Sequence, residues 1–103
     1  MKVLVLGGTG MLGEALMERC RSRNLEAIAA ARGSKTLPLD IADRRQLESA
    51  LFDLKPDVVI NCAALASIDA CESDPAKAFA LNTEPAGELA RLSGALRFKL
   101  VHV

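Results

Sequence analysis

MKVLVLGGTGMLG, Met1 to Gly13, decides how the rest of this chain is read. Val3-Leu4-Val5-Leu6 is a short apolar run that breaks into glycines at Gly7, Gly8, Gly10 and Gly13, and a helical pattern begins at once. The pattern predicts a buried strand, a tight glycine turn and a helix N-terminus, the arrangement that accepts a dinucleotide pyrophosphate. Gly7 or Gly8 turns the chain out of the strand. Gly10, lacking a Cβ, lets backbone approach the phosphates, and Gly13 lets the helix pack closely on the strand. The free N–H groups and positive dipole end of the helix then face the anion. Gly8-x-Gly10-x-x-Gly13 meets the general dinucleotide spacing, and no Lys-Ser/Thr pair follows Gly13, which excludes a P-loop.

Outward from this turn, strand and helix signals alternate, which predicts a parallel sheet with helices on its faces. The first strand is read near Lys2–Leu6. A helix follows over about Met11–Arg23, with Leu12, Ala15, Leu16 and Arg19 at helical spacing and Asn24 marking its end. Strands are expected at Glu26–Ala31 and Thr36–Leu39, with Arg32-Gly33-Ser34 as the loop between them. Asp43 is a candidate cap for a helix running to about Leu54, whose buried face is Leu47, Ala50, Leu51 and Leu54. Lys55-Pro56 stops it. The fourth strand is Asp57–Asn61, with Val58-Val59-Ile60 as a fully buried centre. A loop leads to Asp74-Pro75, which opens a helix over Ala76–Leu96. Pro85 predicts a kink or break there near Asn82–Glu84, and Gly94 is a candidate end. The last strand is Phe98–Val103. Right-handed crossovers arrange these as a Rossmann-type doubly wound α/β sheet in the order 3-2-1-4-5. Its ligand crevice lies between strands one and four, bordered by Gly7–Gly13 and Asn61–Leu65.

The bulk properties agree with one small domain, residues 1–103. Half the residues are apolar, enough for a core, and 13 basic residues balance 13 acidic ones. That balance gives no electrostatic case for nucleic acid or an anionic membrane. No apolar run approaches the ~18 residues of a membrane span. The N-terminal apolar run is too short for a secretory signal, so Cys20, Cys62 and Cys71 are expected as reduced thiols in a cytoplasmic protein. Their spacings match no zinc pattern, and His102 is distant in sequence and expected as a packed strand residue, so no metal site is predicted.

Three further segments carry chemistry. The end of the second strand has no Asp or Glu to accept from ribose hydroxyls but has Arg32, with Lys35 following. Arg suits a 2′-phosphate, so NADP(H) is favoured, with NAD(H) the alternative and a solvated loop arginine the plainer reading. Asp40, ending the third strand, is placed to accept from an adenine amino group, with Ile41 offering backbone; the plainer reading is a helix cap, for which Asp43 is better placed. Asn61-Cys62-Ala63-Ala64 follows the fourth strand, where small residues let a flat ribose or nicotinamide ring approach, or simply pack.

Together these residues resemble the N-terminal part of the extended short-chain dehydrogenase/reductases, and within them the dTDP-4-dehydrorhamnose reductase group. Gly7-x-x-Gly10-x-x-Gly13 matches the wider glycine spacing of that superfamily. Leu39-Asp40-Ile41, the stretch Lys55 to Ala64, Ile68 to Pro75, and Ala80-Leu81-Asn82 with Pro85 and Leu89-Ala90 carry the resemblance to the reductase group. It implies that Gly10, Met11 and Leu12 touch the pyrophosphate, that Asp40 and Ile41 contact adenine, and that Ala63, Ala64 and Leu65 line the ribose and nicotinamide side; Gly7, Thr9 and Gly13 of the same turn complete the candidate cofactor-binding set. Leu65 stands where such reductases often carry a polar residue or His, and Ala66-Ser67 replaces Thr-Ala. The family's catalytic Tyr-x-x-x-Lys pair is absent, and the chain has no tyrosine at all, so no catalytic residue is assigned. The implied role is the NAD(P)H-binding portion, cut after the fifth strand, of an oxidoreductase of dTDP-rhamnose biosynthesis that reduces a 4-keto deoxysugar nucleotide. A different reading is a non-catalytic regulatory subunit like that of methionine adenosyltransferase. The apolar last strand, left at an edge, predicts self-association into a homo-oligomer.

Overall fold

The computed structural model describes residues 1–8, 10–62, 76 and 84–103. Five parallel strands form one sheet in the order β3-β2-β1-β4-β5, as the alternation and handedness predict. They are β1 (Lys2–Leu6), β2 (Glu26–Ala31), β3 (Leu37–Pro38), β4 (Val58–Asn61) and β5 (Lys99–His102). Among the described residues three helices accompany them: α1 (Met11–Ser22), α2 (Arg44–Leu54) and α3 (Glu84–Leu96). β1 is central, with Leu4 opposite Ile28 on one side and Val59 on the other, and Val3 to Leu6 all buried. An unbroken apolar run is what a strand covered on both faces requires.

The two faces are unequal. One carries the main core, where Leu4, Leu6 and Val59 meet Leu47 and Leu51 of α2 and Leu89 and Leu92 of α3. The other is a smaller cluster of Val3, Val5, Met17 and Cys20 under α1. Val58 and Ile60 belong to that second face and are only half-buried. The expectation of a fully buried β4 centre therefore holds for Val59 alone.

α1 is also rotated from its expected face. Gly13, Met17 and Cys20 are buried, while Leu12, Ala15 and Arg19 are exposed and Leu16 is intermediate. Gly13 abuts the glycine turn, and that backbone contact, rather than the leucines, sets the helix phase. α2 begins as expected. Asp43 Oδ1 accepts the N–H groups of Arg45 (3.1 Å) and Gln46 (3.2 Å), while Gln46 Nε2 donates to Asp43 Oδ2 (3.1 Å). It ends with Lys55 at φ 48°, a left-handed cap.

α3 does not stop at Gly94. It runs to Leu96, and Arg97 takes the left-handed turn at φ 59°, delivering Phe98 into the core. Pro85 lies in the first turn of α3, where its missing N–H costs nothing. The expected kink at Asn82–Glu84 falls mostly outside the described residues. β3 is shorter than expected, pairing only Leu37 with Ala30 and Pro38 with Ala31, and β4 and β5 are each trimmed at their ends.

Candidate functional site

The glycine turn connects β1 to α1. Gly7 makes the turn, with φ at 77°, a conformation that side-chain-bearing residues rarely adopt. Its N–H donates to Ala30 O at 2.7 Å, tying the turn to the end of β2. Gly10 N–H returns to Gly7 O at 3.1 Å, and Glu14 N–H donates to Gly10 O at 2.8 Å, starting the helix. A Cβ at Gly13 would fall on Gly7 O and lie 2.6 Å from Gly8 Cα. A Cβ at Gly8 would lie 2.6 Å from Ala29 Cβ.

Gly10 differs from both. Its Cβ would meet only Gly7 O at 3.6 Å, an ordinary contact, so packing within the described residues gives no reason for a glycine. Gly10 is the exposed N-cap of α1, and among the described residues no side chain caps the helix. Met11 (93% exposed) and Leu12 (47% exposed) follow it into the open. The helix N-terminus thus presents backbone to solvent beside a position where a side chain would fit and none is present, a combination suited to an anion.

The neighbouring strands deliver the other candidates to the same edge of the sheet. Leu6 of β1 is in register with Ala30 of β2 and Asn61 of β4, and Cys62 N–H donates to Leu6 O at 2.8 Å. Arg32 is exposed in the turn just after β2. Asp40 follows β3, where its Oδ1 accepts the Ala42 N–H at 3.0 Å and its own N–H donates to Gln46 Oε1 at 3.1 Å. Asp40 therefore closes a local turn and leaves helix capping to Asp43. Ile41 is buried in the main core and, with Ala42, Arg44, Glu84, Pro85 and Glu88, lines a pocket of about 360 Å³ between α2 and α3. Thr9, Ala63, Ala64 and Leu65 lie outside the described residues, as does Cys71.

Beside that pocket α2 and α3 are joined by charge. Arg91 Nη2 donates to Glu48 Oε1 at 2.7 Å and to Glu88, and Arg44 Nε stands 3.4 Å from Glu88 Oε2. Hydrogen bonds from Arg91 hold the Glu88 carboxyl down at about 2, and the same pairing raises the Arg91 guanidinium. Burial pushes the Cys62 thiol up.

Two features escaped the sequence reading. Ser34 is buried and bonded into the β2–β3 turn; its place in an Arg-Gly-Ser loop was the available signal. His102 is exposed rather than packed, with Nδ1 3.3 Å from Asn61 Nδ2 across the register pair at the ends of β4 and β5. Among the described residues no group of three or more His, Cys, Asp or Glu could hold a metal, and no helix is long and apolar enough to cross a membrane.

With this geometry in hand, comparison with known proteins is specific. The family model described as the RmlD substrate binding domain matches residues 1–103. A dTDP-4-dehydrorhamnose reductase of Streptomyces griseus is 41% identical over 88 residues, covering 85% of this chain and 28% of the relative. Methionine adenosyltransferase 2 subunit beta of Bos taurus is 28% identical over 105 residues, covering 99% of this chain and 31% of the relative. The chain thus spans about a third of the length of these relatives. Among solved structures, a Thermus thermophilus UDP-glucose 4-epimerase in complex with NAD superposes at TM-score 0.87 and 28% identity, covering 97% of this chain and 36% of that one. A Bacillus anthracis dTDP-4-dehydrorhamnose reductase in complex with NADP superposes at 0.84 and 25%, covering 96% and 34%.

Proposed function

Because the chain belongs to the RmlD substrate binding domain family of the extended short-chain dehydrogenase/reductases, we propose that it is the cofactor-holding part of a sugar-nucleotide reductase. The observation that carries this reading is Gly10, a glycine on which packing among the described residues makes no demand, at the start of α1. Backbone N–H groups of Met11, Leu12 and Gly13 at the start of α1 would hold the pyrophosphate, in a turn shaped by Gly7, Thr9 and Gly10. Asp40 and Ile41 would meet adenine, Arg32 a 2′-phosphate, and Ala63, Ala64 and Leu65 the ribose and nicotinamide. A bound nicotinamide dinucleotide supplies a hydride; these residues bind and orient it. The substrate of the whole reductase would be a 4-keto deoxysugar nucleotide, by analogy with the Streptomyces griseus relative. The proton that such a reduction needs has no tyrosine to come from within these 103 residues.

Arg32, with no acidic residue beside it at the end of β2, supports NADP(H) over NAD(H); the solved relatives include one with NADP and one with NAD. The expected result is saturable binding of NADPH, with weaker binding of NADH, in a fluorescence titration of the chain. Tighter NADH would reverse the assignment of Arg32. A second reading is favoured by the methionine adenosyltransferase relative, aligned over 99% of this chain: a regulatory subunit that binds the same cofactor without turnover.

A further inference from the structure

Ser34 is the one buried residue of the turn that carries Arg32, and its hydroxyl is fully used. It donates to Ala29 O at 2.9 Å and accepts the N–H groups of Thr36 and Leu37, each at 3.2 Å. Its backbone N–H donates to Ala31 O at 3.1 Å, the same carbonyl that accepts Leu39 N–H at 3.0 Å. One residue before, Ala30 O accepts from Gly7. The chain before Arg32 is thereby tied to the glycine turn at Ala30, and the chain after it is tied back to β2 at Ala29 and Ala31. The hydroxyl has one proton, already given to a carbonyl, so Ser34 has none to offer a phosphate. Lys35 stands in a groove of about 510 Å³ with Glu14, Glu18 and Arg21, where charges balance. Arg32 is outside that set.

We infer that Ser34 is a positioning residue for cofactor selectivity. It holds the β2–β3 turn so that Arg32 is presented to the 2′-phosphate that separates NADPH from NADH. This rests on the dinucleotide reading above and adds a residue that never touches the ligand. An untethered turn leaves Arg32 able to reach a phosphate only at the cost of ordering the loop again.

The test is the pair of dissociation constants for NADPH and NADH in the unaltered chain, Ser34→Ala and Ser34→Thr. Ser34→Ala is expected to weaken NADPH by about tenfold, the worth of one well-placed charge-assisted contact, and to leave NADH within about twofold. Ser34→Thr keeps the hydroxyl and restores the preference. Equal loss of both cofactors in Ser34→Ala would make Ser34 a merely structural residue and overturn the inference, as would an unchanged ratio. If the unaltered chain binds neither cofactor, the dinucleotide reading itself fails; if it binds both equally, the role of Arg32 fails and that of Ser34 with it.

Discussion

Gly10 and Gly13 belong to one turn, yet the structure asks different things of them. At Gly13 helix backbone lies against the backbone of Gly7 and Gly8, and neither side can move away cheaply. Gly13→Ala is therefore expected to destabilise the chain by ~1–3 kcal/mol, the usual cost of overpacking, seen as a lower midpoint in thermal or urea unfolding. An unchanged midpoint would mean that α1 shifts without penalty. The spacing made both glycines legible, because pyrophosphate turns impose it. Whether Gly7 or Gly8 makes the turn was not legible, since adjacent glycines leave φ unspecified. For Ser34 the Arg-Gly-Ser loop signals a turn but not the bonds, for a related reason: its partners are backbone atoms five residues before and two to three after. Of the remaining site candidates, Arg32 and Asp40 were readable as types at strand ends, while the bonds that commit Asp40 to Ala42 and Gln46 were not.

At the scale of elements, local rules succeeded where local chemistry decides. The Asp43 cap of α2 is a contact between residues two and three apart, so sequence alone contains it. The end of α3 failed because the decision is tertiary: the helix continues past Gly94 so that Phe98 reaches the core and β5 meets β4. The same helix supplies a pH test. Glu88 has its carboxyl held near 2 in the folded chain against a usual 4.5, chiefly by Arg91. A lowered acid pKa stabilises above the unfolded value and is lost as pH falls through the folded one. The α2–α3 link should therefore be intact above about 4.5 and weaken between 4.5 and about 2. Glu88→Gln is expected to melt below the unaltered chain at neutral pH, with the gap closing across that window. A gap that stays constant down to pH 2 would show that the ionised carboxylate contributes nothing.

At the scale of the molecule, the order 3-2-1-4-5 followed from alternation and crossover handedness. The unequal burial of the two sheet faces did not, because apolar residues on both sides of a strand look alike until the covering helices are placed. The topology nonetheless brings four segments read separately along the chain to one edge: the Gly7–Gly13 turn, Arg32, Asp40 and Asn61. That edge is the place where a doubly wound sheet holds a dinucleotide. On this reading Gly10 is a glycine because a pyrophosphate lies against it. Calorimetric titration of NADPH into the unaltered chain and into Gly10→Val, side by side with their thermal melts, tests it most directly. Saturable binding to the first and none to the second is expected, with nearly the same helical content and a cooperative melt in both. Equal binding by both, or no binding by the unaltered chain, would contradict it.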